Sequence, residues 1–220
     1  MARAAPGRTV MAREKILHKV RTALGRSAGQ PPSPPPPVRL RLPDTPLDQR
    51  LASFKAALEA LAGKVLIAAS REEAVSYAAA LCDGAPAVAS NAPLLAELGI
   101  ARLPGVRSAS RDRDELRAAC ASAALGITSA DYALADTGSL VLLASAEEAR
   151  LISLLPPVHL AIIDRQRLLT GLDELYTRLP LPSDATSAMV FITGPSRTAD
   201  IEQILVRGVH GPREIHVVVV

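Results

Sequence analysis

The stretch that decides the fold is Ala188-Met-Val-Phe-Ile-Thr-Gly-Pro-Ser-Arg-Thr-Ala-Asp200, continued by Ile201-Glu-Gln-Ile-Leu-Val-Arg-Gly-Val-His-Gly-Pro-Arg213 and closed by Glu214-Ile-His-Val-Val-Val-Val220. Ala188 to Thr193 is a short apolar run suited to a buried strand. Gly194-Pro195-Ser196 breaks it, because Gly and Pro together force a turn. Thr198 is a good N-cap, and Asp200 and Glu202 fall in the following turn, where carboxylates suit the helix dipole. Ile201, Ile204 and Leu205 recur at helical spacing, and Gly208 is placed to end the helix. After His210-Gly211-Pro212, Ile215 to Val220 is apolar enough for a central strand. The pattern predicts strand, polar loop, helix, turn and strand, hence a parallel pair with a right-handed crossover.

The wording Gly194-Pro-Ser-Arg-Thr-Ala-Asp-Ile-Glu202 followed by Gly208-Val-His-Gly-Pro212 resembles the lactate utilization protein C family, whose core is the LUD domain. Ala135-Asp-Thr-Gly-Ser139 and Leu154-Leu-Pro-Pro-Val-His159 extend the likeness in the same order. The resemblance implies a part in oxidising L-lactate to pyruvate, beside partner proteins that carry iron-sulfur clusters. It also implies the fold group of sugar-phosphate isomerases, CoA transferases and the folate cyclo-ligase. It supplies no catalytic mechanism.

Working outward, the rest of the chain alternates strands and helices. Leu47, Leu51, Phe54, Leu58 and Leu61 mark one face of a helix that Gly63 ends. Lys64 to Ala69 reads as a strand, Ser70 with Glu73 as a capping box, and Ala87-Val-Ala89 as a second strand. Asn91 opens a helix closing at Gly99, a further segment lies around Ile100 to Leu103, and a helix runs from about Asp112 to Leu125. Asp131 to Ala135 and Leu140 to Ala144 read as strands joined by Asp136-Thr137-Gly138-Ser139, too short for a parallel crossover and the length of a hairpin. Ala146 to Leu154 reads as helical, Val158 to Ile163 as a strand, and Leu168 to Leu179 as a helical or irregular crossover. The expected class is α/β: an open, mixed, mostly parallel sheet with helices on both faces. Residues 47–220 form this domain.

Before it come a tail (residues 1–10), a basic amphipathic helical arm (11–26) and a proline-rich linker (27–46). Met11 is a candidate initiator. Ile16, Leu17, Val20 and Leu24 form the arm's apolar stripe, which suggests docking on its own domain or on a second copy of the chain. Pro31-Pro-Ser-Pro-Pro-Pro-Pro37 suits an extended spacer.

Charge and composition exclude several classes. Residues 1–50 hold ten Lys or Arg against three acids, while the other 170 hold fifteen against nineteen. The globular part is therefore slightly acidic, the opposite of a nucleic-acid-binding face. No apolar run reaches the ~18 residues of a membrane helix, and the basic N-terminus lacks the apolar segment of a secretory signal. Two cysteines, Cys82 and Cys120, are too few for a zinc or iron-sulfur site. A reducing cytoplasm fits them, and no cofactor is expected in this chain.

There is no Walker loop, dinucleotide fingerprint, Ser–His–Asp signature or HExxH pair. The candidates are loops. Gly194, Pro195, Ser196, Arg197, Thr198 and Asp200 offer amides, hydroxyls and a guanidinium to a small anion; the competing reading is a helix cap with an exposed arginine. Asp136, Thr137, Gly138 and Ser139 are a second candidate ligand loop, or simply a turn. His159 and His210 rank behind them, and no pair has metal-ligand spacing. Three functions follow: an accessory, small-anion-binding subunit beside iron-sulfur partners; a CoA-transferase-like or isomerase-like enzyme using Asp136 or Asp200 on an acyl or phosphorylated substrate; or a scaffold whose basic arm finds a partner.

Overall fold

The computed structural model describes residues 6–31, 45–198 and 206–220, in two units, Met1–Arg39 and Leu40–Val220. In the first unit, helix α1 spans Pro6–Ala23. It starts within the stretch read as a tail, because a proline needs no intrahelical donor and its fixed φ suits a first turn. Gly25 (φ 63) stops it as expected, with Arg26 N donating to Arg21 O at 2.8 Å. Ile16, Val20 and Leu24 are exposed. The proline run from residue 32 lies outside the described residues.

The second unit opens with α2 (Leu47–Ala60), β1 (Lys64–Ile67), α3 (Arg71–Cys82), β2 (Ala87–Ala89), α4 (Pro93–Glu97), β3 (Val106–Ser108) and α5 (Arg113–Ser122). Next come β4 (Leu125–Ser129), β5 (Tyr132–Leu134), β6 (Ser139–Leu143), α6 (Arg150–Leu154), β7 (Val158–Ile163), β8 (Leu168–Leu169) and α7 (Leu172–Arg178). It finishes with α8 (Pro182–Ala185), β9 (Met189–Ile192), β10 (Arg197–Thr198), β11 (Val206–Arg207) and β12 (Glu214–Val219). No helix among the described residues is long and apolar enough to cross a membrane.

Six strands form a wholly parallel sheet, ordered β1-β12-β7-β4-β2-β3. Leu160, Ile162, Ile127 and Val218 face α3 and α4, where Ala74, Ala78 and Leu95 are buried. On the other face Val65, Ala161, Ile163 and Val217 meet Phe54 and Leu58 of α2, and Val88 meets Cys120 of α5 and Ile152 of α6. Helices thus cover both faces, and both sets of strand side chains are apolar, as a central parallel sheet requires. Ser70 accepts from Glu73 N at 3.2 Å, and Glu73 in turn accepts from Ala69 N at 2.6 Å, closing the capping box one residue early.

The expected hairpin exists: β5 and β6 pair antiparallel, Leu134 opposite Ser139. Its strands form a second sheet, ordered β8-β5-β6-β9, whose inner residues Ala133, Leu140 and Leu142 pack with the parallel sheet and whose outer residues pack with Leu175 of α7. This second sheet is mixed, since β5 pairs antiparallel with β6 and parallel with β8.

The parallel pair with a right-handed crossover expected of the opening stretch is overturned. β9 pairs antiparallel with β6, while β12 lies between β1 and β7. The half-exposed Phe191 marks β9 as an edge strand, which a short apolar run cannot distinguish from a buried one. Thr198, expected as a helix cap, instead pairs with Val206 in a two-stranded antiparallel ribbon. The remainder of the expected helix, with Asp200, Ile201, Glu202, Ile204 and Leu205, lies outside the described residues.

Gly138 shows why the hairpin tolerates one residue only. Its φ is 66, and an added Cβ would stand 2.5 Å from Leu58 N in α2. Gly138→Ala is expected to cost roughly 2 kcal/mol through left-handed strain and overpacking, measured by urea unfolding. Wild-type stability in that variant would show that the turn does not bear on α2.

Candidate functional site

In open α/β sheets a crevice forms where neighbouring strands send their following loops to opposite faces. β2 and β4 are such neighbours. After β2 the chain turns to α4 on one face, and after β4 it enters the small sheet on the other. Between their carboxyl ends lies a cavity of about 370 Å³, walled by Arg71, Pro93, Asp131, Glu148, Asp164 and Arg167 among others. That volume lies in the small-ligand range of roughly 300–1,000 Å³.

Glu148 is the centre of this crevice. Ser145 Oγ accepts from the amides of Glu147 (3.2 Å) and Glu148 (3.0 Å), building a tight turn after β6. Asn91 N donates to Glu147 O at 2.9 Å, tying that turn to the loop after β2. The turn delivers Glu148 inward, leaving the residue only 6% exposed. Its Oε2 accepts from Ser90 Oγ at 2.7 Å and from Ser129 N at 3.1 Å. Oε1 has no hydrogen-bond partner among the described residues. Burial pushes the Glu148 carboxyl up to about 7, against the two hydrogen bonds, and the neighbouring charge of Asp131 adds to the rise.

Asp131 Oδ2 accepts from Leu143 N at 2.7 Å. Burial raises this carboxyl too, opposed by that amide and by Arg167. Arg167 lies 5.5 Å over the Tyr132 ring and donates to its hydroxyl at 3.5 Å, which restrains the guanidinium. Arg71 pairs with Glu97 at 3.4 Å and Arg111 with Glu147 at 3.2 Å, both exposed pairs of small energetic weight. Chemically, the crevice offers a carboxyl near its midpoint at neutral pH and a guanidinium resting over an aromatic ring. Among the described residues no group of three or more His, Cys, Asp or Glu is arranged to hold a metal ion.

Among the described residues, none of the candidates singled out from sequence lines this crevice; Asp200 lies outside the described residues. Gly194 to Arg197 sit instead at the amino ends of the parallel strands. Ser196 N donates to Pro212 O at 2.8 Å, and Arg213 N to Pro157 O at 2.9 Å, immediately before β12 and β7 begin. Arg197 donates to the Leu61 carbonyl, at the C-terminus of α2, where a cation is favourable. Gly194 (φ 88) lets the chain approach Leu61, and Pro195 is buried.

The second loop meets the first there. Thr137 Oγ1, Ser139 Oγ and Thr193 Oγ1 form a chain of hydroxyls at successive 2.8 Å contacts, while Asp136 is exposed and its amide donates to Thr170 O. Exposed His210 donates from its amide to Ser196 Oγ at 3.4 Å. His159 is elsewhere: fully buried, its Nε2 is 2.7 Å from Thr128 Oγ1, its Nδ1 has no partner among the described residues, and burial lowers it to about 3.

Sequence reading missed Glu148 because Ala146 to Leu154 looked like one helix, which would have put the residue on a solvated face. Ser145, a residue that caps or closes turns through its hydroxyl, was the available sign of a later helix start.

Comparisons with known proteins bear on this geometry. The LUD domain family model matches residues 51–220. The chain is 43% identical over 100 residues to lactate utilization protein C of Halalkalibacterium halodurans, covering 43% of this chain and 44% of that one. It is 30% identical over 170 residues to lactate utilization protein C of Geobacillus thermodenitrificans, covering 70% and 68%. In the first of these the match thus spans less than half of the relative's length. A crystal structure of a DUF162 family protein from Deinococcus radiodurans superposes with a TM-score of 0.60 at 18% identity, covering 80% of this chain and 98% of that one. At that identity the likeness establishes the fold.

Proposed function

The chain belongs to the LUD domain family, and from that premise we propose that it serves lactate utilization, as an accessory, small-anion-binding subunit of a system that oxidises L-lactate to pyruvate. The observation that carries the reading is the family match over residues 51–220, joined to relatives named lactate utilization protein C. The carboxyl-end crevice supports the binding half, since it pairs a guanidinium with a carboxyl of adjustable charge. Electrons from lactate pass, in this reading, to partner proteins with iron-sulfur clusters. A cluster ordinarily takes four thiolates, whereas Cys82 and Cys120 are buried in different core clusters, each with its thiol raised by burial. The chain itself is read as cofactor-free and cytoplasmic.

Deleting the gene is expected to abolish growth on L-lactate while leaving growth on pyruvate intact, and tagged protein from lactate-grown cells should bring down iron-sulfur proteins. Unimpaired growth on lactate would sink the proposal, as would purified protein that alone reduces a dye with lactate. The buried Glu148 also favours a second reading, a CoA-transferase-like or isomerase-like enzyme. Turnover of acyl or phosphorylated substrates by the isolated chain, lost in Glu148→Gln, would establish that alternative.

A further inference from the structure

The carboxyl of Glu148 has two unlike oxygens. Both donors that reach it, Ser90 Oγ and Ser129 N, fall on Oε2, and Oε1 is left without a partner on a residue that lines the cavity. An oxygen already accepting two hydrogen bonds is the poorer place for a proton, so the neutral carboxyl carries its O–H on Oε1 and is a donor with nothing among the described residues to receive it. Leaving such a group buried and unmatched is unfavourable, which is reason to look for a ligand atom there. The same cavity holds Arg167, restrained by Tyr132, and a rigid guanidinium suits a carboxylate.

Building on the lactate-utilization reading, we propose that the crevice between the carboxyl ends of β2 and β4 binds a small 2-hydroxy or 2-oxo monocarboxylate, its carboxylate on Arg167 and its neighbouring oxygen on the Glu148 O–H. The charged groups facing Glu148 across the crevice are Arg71, Glu97, Asp131, Glu147, Asp164 and Arg167. Glu97 and Glu147 have arginine partners, and Asp164 accepts from Gln166 N at 2.8 Å. Asp131 is the one whose charge bears on Glu148 directly. A bound carboxylate adds a negative charge beside it and draws a proton from solvent onto Glu148.

The test is calorimetric titration with L-lactate and with pyruvate at pH 7, in two buffers of different ionisation enthalpy, with sulfate as the control anion. Binding of either acid should take up about half a proton, and wild-type affinity should fall roughly tenfold per pH unit above 7. Glu148→Gln presents its carbonyl to Ser90 and Ser129 and its amide to the ligand. It should bind within about twofold of wild type at pH 7, take up no proton and lose the pH dependence. Arg167→Ala should lose at least about tenfold in affinity. Proton uptake that persists in Glu148→Gln, affinity independent of pH in wild type, or sulfate bound as well as lactate would each overturn the site. Absence of lactate and pyruvate binding at millimolar concentration, in a protein still required for growth on lactate, would overturn the site and leave the proposed function standing. Loss of the growth requirement would remove the function whatever the titration showed.

Discussion

His159→Gln should flatten the acid limb of the stability curve by about 4 kcal/mol between pH 7 and pH 3.5. The His159 ring, on β7, is fully buried, and burial lowers it from 6.5 to about 3. The unfolded chain therefore binds a proton that the folded chain refuses. Stability from this group is fully present above pH 6.5 and is lost as pH falls toward 3, at about 1.36 kcal/mol per unit. Gln keeps a polar group near the Nε2 position, within reach of Thr128, but does not titrate. At pH 7 the variant should be modestly weaker than wild type through imperfect packing, and the two curves should converge or cross on acidification. Urea unfolding at a series of pH values reads this directly. Parallel curves for the two proteins would mean that the buried ring accepts its proton in the folded state. The loss is a large share of an ordinary domain's 5–15 kcal/mol, so it should be plain in the acid limb of the curve.

Much of the architecture was legible where periodicity and punctuation agreed. The α2 helix begins at Leu47 as its apolar spacing requires, Asp112 caps α5 through the amides of Asp114 and Glu115, and the four residues from Asp136 to Ser139 demand the hairpin that exists. What stayed hidden was pairing. β4, at the centre of the sheet, is not expected from sequence: the helix reading runs to about Leu125 and Gly126 to Ser129 carry no element, because Leu-Gly-Ile-Thr-Ser is neither uniformly apolar nor uniformly branched. Gly126 is there because α6 rests on the strand: a Cβ would stand 2.0 Å from the Ile152 carbonyl. A strand thinned to glycine by its neighbour gives little hydrophobic signal.

The site failed to show for the same reason. A topological crevice is defined by strand order, which no local window contains, and the parallel pairing expected around Gly194 to Arg197 would set that loop at carboxyl ends, whereas the structure sets it at the amino ends. Gly194 to Arg197 and Asp136 to Ser139 do converge, through Ser139 and Thr193. They do so at the amino ends, where their wording is explained by close packing on Leu58 and Leu61. Glu148, in a run of Ala, Ser and Glu, carries no motif at all. Its meaning comes from Ser90 and Ser129, 58 and 19 residues away.

Glu148→Gln is expected to act on stability with the opposite sign to His159→Gln. Burial raises the Glu148 carboxyl from 4.5 to about 7, so the folded protein holds a proton that the unfolded chain has released. That contribution is fully present below pH 4.5 and disappears as pH rises through 7, at a cost of about 3 kcal/mol by pH 8. The glutamine variant never ionises, so relative to wild type it should gain about 3 kcal/mol between pH 4 and pH 8. The same unfolding series measures it, and a variant that tracks wild type across that window would show a carboxyl ionised in the fold throughout. Between pH 4.5 and 6.5 the two buried groups oppose one another, so wild type should be nearly flat there. His159→Gln should then decline with rising pH and Glu148→Gln should climb, while the double variant is flat again. A carboxylate that weakens its own fold at the pH where cells work is a common signature of a residue retained for its site. The ligand binds the form with Glu148 protonated, so lactate or pyruvate should raise the melting temperature of wild type at pH 5 more than at pH 8. Glu148→Gln should show an equal rise at both.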